Sequence, residues 1–254
     1  MTPRLLVTDL REPGQRVALD ADQAHYALRV LRLREGEALQ LFDGVGGRWS
    51  ARLVSAGRAE AVVELLGALP PCPESRLRLT LIQCLSAAER MDFTVEKAVE
   101  LGVAAIVPVT SARSVVRLDD ARAARRLAHW QRLVVAAAMQ CGRDQLPVLA
   151  APMTLAQWLA QRDRTVPGWV LAPGAGQTLA AAAAGLPPEL RAAQLLIGPE
   201  SGLAPEELAA AAASGLQPTS LGPRVLRTET AGLAAITVLQ TLRGDLGGAQ
   251  PAAE

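Results

Sequence analysis

The sequence is nearly without lysine: of its 26 basic residues, all but Lys97 are arginine. Arginine is a flat, permanently charged fork that suits phosphate and base-edge recognition. GC-rich coding writes arginine wherever a cation is needed, however, and explains most of the bias. Cysteine and histidine are as sparse. Cys72, Cys84 and Cys141 stand far apart with no C-x-x-C spacing, and His25 and His129 are isolated. A zinc centre needs such ligands in a cluster, so no metal is expected. An odd, small cysteine count suits a reducing compartment. No apolar run reaches membrane-spanning length, and the N-terminus lacks the apolar core of a signal peptide. The expected location is therefore the cytoplasm, with no membrane partner. No G-K-[ST] occurs, which excludes a P-loop.

Excess charge is missing too. The 254 residues carry a net charge of +1, which is no global signature of a nucleic-acid binder. Basic and acidic residues are nine against nine over 1–70, eleven against eight over 71–150, and six against eight over 151–254. Half of the residues are hydrophobic, enough to bury a core and to make wholesale disorder implausible. Much of that half is alanine, as in Ala180 to Ala184 and Ala209 to Ala213. Alanine favours helix but buries little area, so those helices are expected to pack closely.

Residues 1–70 read as β-rich. Ala38 to Phe42 and Arg48 to Val54 are short strands around Asp43-Gly44-Val45-Gly46-Gly47, a glycine-rich hairpin signal, and Ala61 to Leu66 offers a third. Pro70-Pro71-Cys72-Pro73 is a stiff connector that marks a domain boundary. After it, strand-like runs at Leu77 to Leu85, Ala104 to Val109, from Val148, Trp169 to Ala172, Gln194 to Ile197 and Thr219 to Leu221 alternate with helices. The clearest helices are Glu89 to Leu101, stopped by Gly102, and Leu118 to Cys141. That alternation predicts an α/β domain with a largely parallel sheet.

In such a sheet, ligands bind outside the carboxyl ends of the strands. Two loops there stand out. Leu195-Leu196-Ile197 runs into Gly198-Pro199-Glu200-Ser201-Gly202-Leu203, after which Pro205, Glu206 and Glu207 open a helix. The other is Leu221-Gly222-Pro223-Arg224-Val225-Leu226-Arg227-Thr228-Glu229-Thr230-Ala231, leading into an apolar helix to Leu242. Each alone reads equally as an ordinary strand-to-helix turn, and Gly198 and Gly202 do not make a dinucleotide fingerprint.

Together with other segments, these loops resemble the RsmE family, which methylates N3 of uridine 1498 in 16S rRNA and belongs to the SPOUT superfamily of knotted methyltransferases. The resemblance covers nearly the whole chain. It is carried by Pro3-Arg4, His25 to Arg32 and Leu41 to Gly44 near the start. Mid-chain it is carried by Glu96 to Val103, Ile106-Val107-Pro108, and Gln140-Cys141-Gly142-Arg143 with Pro147. The two loops match the family's I-G-P-E-G-G and L-G-x-R-[IV]-L-R-x-E-T-A motifs. Three residues depart from the pattern. Ser201 stands where the family usually has glycine, and Met139 where it usually has Glu. Ala204 replaces Ser or Thr, which weakens a helix N-cap by roughly 1 kcal/mol.

The resemblance implies a PUA-like β-barrel RNA-binding domain over 1–70 and an α/β SPOUT methyltransferase domain over 74–254, with a trefoil knot in about 150–254. It implies a homodimer paired through the knot, and S-adenosylmethionine bent into a cup of three loops. The donor contacts would be Leu171, Ala172 and Pro173; Ile197, Gly198, Pro199, Glu200 and Gly202; and Leu221, Gly222, Val225, Leu226, Arg227, Thr230 and Ala231. N3 of uracil carries a proton and is weakly nucleophilic, so catalysis should align it and stabilise negative charge or remove the proton. Arg227 is the candidate for stabilising the uracil anion, with Glu229 or Glu200 as base. An ion pair of Arg227 with either carboxylate is an equal alternative. Glu229 also reads as a helix N-terminal carboxylate, the Lys97–Glu100 pair as a helix anchor, and His25 as a half-buried structural residue. Contacts to 16S rRNA are expected from Arg4, Arg29, Arg32 and Arg48, continued by Arg113, Arg117 and Arg143. A methyltransferase acting on another RNA base, or an RNA-binding assembly factor without catalysis, remains open at this point.

Overall fold

A computed structural model describes residues 2–57, 60–114 and 119–247. Arg117 and the start of the expected Leu118 helix lie outside the described residues. The chain forms two compact units, one of residues 1–73 with 135–146 and the other of 74–134 with 147–254.

The first unit contains β1 (Arg4–Leu6), β2 (Arg16–Ala18), α1 (Ala21–His25) running into a π-helical turn (Tyr26–Val30), β3 (Ala38–Phe42), β4 (Arg48–Ala56) and β5 (Ala61–Ala68). They form a five-stranded sheet in the order β1-β3-β4-β5-β2. The β1–β3 pair is parallel and the others antiparallel. Alternation sets its buried face: Ala51 and Leu53 of β4 and Ala61, Val63 and Leu65 of β5 are buried, with Arg52 between them exposed. The Asp43 to Gly47 turn forms as the sequence predicts. Asp43 Oδ1 accepts from the amides of Val45 and Gly47, both at 2.8 Å, while Gly44 and Gly46 take positive φ of 81° and 113°. Asp20 and Gln23 close a capping box on α1.

The inclusion of residues 135–146 explains two features that a boundary at the proline run does not anticipate. Met139 packs against the apolar core of this unit, so its position calls for a hydrophobic side chain rather than an ion-pair partner. Arg4 is 8% exposed. Its guanidinium meets Asp144 Oδ1 at 2.6 Å and the Arg143 carbonyl at 3.0 Å, and lies over the Phe42 ring. The other Asp144 oxygen accepts from the Cys72 amide. Arg4 thus has a structural role, closing the proline run onto the unit, and Arg143, also 8% exposed, is likewise withdrawn from the surface. His25 is exposed rather than half-buried.

The second unit contains β6 (Arg78–Cys84), α2 (Ala88–Glu100), β7 (Ala105–Thr110), α3 (Asp120–Cys141), whose end belongs to the first unit, β8 (Val148–Leu149), β9 (Met153–Thr154), α4 (Leu155–Gln161), β10 (Gly168–Leu171), α5 (Leu179–Ala184), β11 (Ala192–Ile197), α6 (Pro205–Ala213), β12 (Leu216–Thr219) and α7 (Thr228–Arg243). The strand order is β12-β10-β11-β6-β7-β8, with β9 also on β7, and every pairing is parallel. Buried on both faces, β6 and β11 read as apolar runs rather than alternations. The last strand lies upstream of its expected place: Leu216 to Thr219 pair with β10, and residues 220–221 already belong to the loop. Lys97 bonds Glu100 and Glu96, each at 2.7 Å, and so anchors α2 as expected.

Candidate active site

Three loops leave the carboxyl ends of β10, β11 and β12 together, because their strands are neighbours in a parallel sheet. The first and third are stitched to each other. Ala172 N donates to Thr219 O, Ser220 N to Gln177 O, and Leu179 N to Ser220 O, at 2.8 to 3.0 Å. They enclose, with the β11 loop, a cavity of about 570 Å³, within the range of small-molecule sites. Its walls combine apolar side chains, Leu171, Ile197, Leu221 and Leu226, with main chain of the glycine loops. Gly202 and Gly222 hold φ of 72° and 102°, which side chains other than glycine rarely adopt.

Every donor contact expected from the sequence lines this cavity except Thr230, which is exposed at the start of α7. Glu229, named as a possible base, is also not on its wall: it is 14% exposed, turned toward α2. Thr219, Ser220, Arg224 and Thr228 line the cavity without having been singled out.

The residue that sequence reasoning missed altogether is Arg90, on the first turn of α2. Its guanidinium bonds Glu200 Oε1 at 3.0 Å and stands 3.8 Å from Glu229 Oε1. An ion pair of Arg227 with either carboxylate was one of two equal expectations for that residue. Among the described residues Arg227 makes no ion pair or side-chain hydrogen bond, and it is exposed on the cavity rim. Glu200 also accepts from the Ala87 amide at 3.2 Å, so it ties the β11 loop to the start of α2. Burial pushes the Glu200 carboxyl up. Amide hydrogens of its own residue and of Ala87, with the Arg90 guanidinium, outweigh that and hold it below its ordinary value of 4.5. The buried Cys84 thiol, at the end of β6, is pushed up by desolvation to about 12 and stays protonated.

Ser201 and Ala204, the departures in this loop, are each accommodated. Ser201 Oγ donates to the Arg113 carbonyl at 2.9 Å, and Arg113 returns a bond to the Ser201 carbonyl at 3.4 Å. Glu207 compensates for the capless Ala204: one carboxylate oxygen accepts from Ala204 N at 2.9 Å and the other from Ala112 N at 2.7 Å. Segment 111–114 is thereby held against the cavity, with Arg113 on its wall. In the first unit Arg29 and Arg32 are exposed and Arg48 is half-buried.

Residues 73–240 match the family model of an RNA methyltransferase domain, and residues 19–66 that of an RNA methyltransferase PUA domain. The chain is 35% identical over 247 residues, 93% of its length and 90% of the relative's, to ribosomal RNA small subunit methyltransferase E of Mycobacterium bovis. It superposes with a TM-score of 0.90 and 39% identity on the enzyme of that name from Neisseria gonorrhoeae bound to S-adenosyl methionine, covering 96% of this chain and 99% of that one. A methyltransferase of Legionella pneumophila in complex with the bound cofactor SAM gives 0.91 and 34%, covering 97% and 100%. The chain belongs to the ribosomal RNA small subunit methyltransferase E family.

Proposed function

We propose that this chain transfers the methyl group of S-adenosylmethionine to N3 of uridine 1498 in the 16S rRNA of the small ribosomal subunit. The observation that carries the reading is the charge around the cavity. Among the described residues that line it, Arg90, Arg113, Arg224 and Arg227 are the cations and Glu200 is the acid. Arg90 is neutralised by Glu200, so three arginines at the mouth face no carboxylate of the wall. The donor offers one carboxylate, too few for three arginines, whereas a phosphodiester chain delivering a base to that donor offers an anion for each.

The residues present fit the donor. Adenine needs an apolar slot with main-chain donors and acceptors, which Leu171, Ile197, Leu221, Leu226 and the glycine loops supply. When bound, the donor supplies a methyl group on a positively charged sulfur, an activated leaving group. The chain's own part is alignment and charge. Arg227, exposed on the rim, would stand against O2 or O4 of uracil and favour the deprotonated base. Glu200 is a poor base because the amides of its own residue and of Ala87, with Arg90, hold its proton affinity low. Glu229 lies behind the wall. Both carboxylates therefore act as anchors of the loops, and the N3 proton passes to solvent. Arg29 and Arg32 of the first unit, with Arg113, would hold the RNA backbone. No helix of the described residues is long and apolar enough to cross a membrane, and the proposed place of work is the cytoplasm, where small subunits are.

The same reading includes the trefoil knot in about 150–254 and a homodimer paired through the alanine-rich helices α6 and α7. Light scattering of the purified protein at micromolar concentration should give twice the chain mass, and a monomer would count against the pairing. The function is tested by calorimetry with S-adenosylmethionine, followed by single-turnover methylation of small subunits from a strain lacking the gene. Donor binding and a methyl group on 16S rRNA are expected, and a protein that binds no donor would sink the reading.

A further inference from the structure

Gln83 is a polar side chain at 0% exposure on β6, between the apolar Ile82 and Cys84. A buried amide is destabilising unless its groups are paired, and only half of this one is. Nε2 donates to Thr228 Oγ1 at 2.9 Å and to the Cys84 carbonyl at 3.1 Å, while Oε1 is buried without a partner. Stability alone would favour an apolar residue here, so the geometry of its donated bonds is informative.

Thr228 Oγ1 accepts from Gln83 and gives its own proton to the Gly198 carbonyl at 2.6 Å. The direction of this relay is fixed, because a carbonyl only accepts and the Gln83 amide nitrogen only donates. Thr228 begins α7, Gly198 begins the β11 loop, and both line the donor cavity. The relay therefore joins two of the three cavity walls from below. Gly198 precedes Pro199, whose φ is locked by its ring. Orienting the Gly198 carbonyl sets the plane of the peptide entering Pro199, and with it the path of the loop to Glu200. There Arg90 and the Ala87 amide hold the other end. Gly232 allows the approach: a Cβ at that position would come within 3.2 Å of Gln83 Oε1 and 3.6 Å of Ile197 Cγ1.

We propose that Gln83 and Thr228 are positioning residues that fix the Gly198 carbonyl and so pre-form the methyl-donor site, an inference that rests on the donor reading above. Thr228→Val, which keeps the shape and removes the hydroxyl, should weaken S-adenosylmethionine binding by about tenfold or more in calorimetry, the effect of leaving buried partners unmet. Thr228→Ser should restore it to within about threefold of wild type. In steady-state methylation, KM for the donor should rise in T228V while kcat at saturation stays within about threefold, since no reacting atom is touched. Hydrogen exchange over residues 198–203 should quicken. Should T228V not fold, Gln83→Met, which leaves Thr228 in place, is read the same way, with a loss of several-fold expected. Unchanged donor affinity in the folded variant, or a serine variant as weak as the valine one, overturns the inference. Wild-type protein that binds no donor would remove the donor reading and this inference with it, whereas wild-type binding with unchanged T228V affinity overturns this inference alone.

Discussion

Two of the four arginines that border the cavity stand in opposite circumstances. Arg90 is engaged by Glu200 and Glu229, so it belongs to the framework. The Arg227 side chain makes no ion pair or hydrogen bond among the described residues and is exposed, so its removal should cost the fold little. Arg227→Ala is expected to leave the thermal unfolding midpoint near that of wild type and to lower single-turnover methylation by roughly 10²–10³-fold, as for loss of one charge-stabilising donor. A variant that is destabilised yet fully active would reverse that assignment. Glu200 gives a pH signature. Its folded-state proton affinity is depressed below the ordinary value of 4.5, so its contribution to stability is complete above that value and is lost as pH falls through the lower folded value. The unfolding midpoint of Glu200→Gln should therefore lie below wild type at pH 7 and converge on it in acid. A gap that persists unchanged in acid would show that the charge on Glu200, held by the two amides and Arg90, is not its source.

At the scale of elements, the loops depend on backbone conformation as much as on space. Gly222 has φ of 102° and open surroundings, whereas a Cβ at Gly198 would meet Leu203 at 3.2 Å. Gly222→Ala should thus weaken donor binding through backbone strain of about 1–3 kcal/mol and not through a clash, and calorimetry showing wild-type affinity would mean that the loop relaxes freely. The glycines, prolines and apolar runs that build these loops were legible because their cause is local: turn chemistry, a fixed φ, a strand buried on both faces. Strands β1 and β2, of three residues each, are too short to show alternation. Arg90 was illegible for another reason. Its partner Glu200 is 110 positions away, and nothing in the spacing around Arg90 marks it off from the other arginines. The same holds for Gln83 and Thr228, 145 positions apart. The structural role of Arg4 was illegible because its buried partner, Asp144, is invisible in a count of charges.

At the scale of the whole molecule, the sequence places its break at Pro70 to Pro73, while the first compact unit also takes residues 135–146 from the far side of that break. Chain continuity suggested a simple succession of domains. Packing of Met139 and the Arg4–Asp144 pair requires the second segment to complete the first unit. The second unit by itself holds every residue of the cavity, and all of them fall within the stretch that matches an RNA methyltransferase domain. In the proposed function its product is a single methylated uracil in 16S rRNA. Nuclease digestion and mass spectrometry of 16S rRNA from a strain lacking this gene, beside the same strain carrying it, measures that directly. The proposed function requires loss of one methyl group from the fragment containing uridine 1498, restored by the wild-type gene and not by the Arg227→Ala variant. An unchanged 1498 fragment, with the methyl group missing from another base or from none, would contradict it.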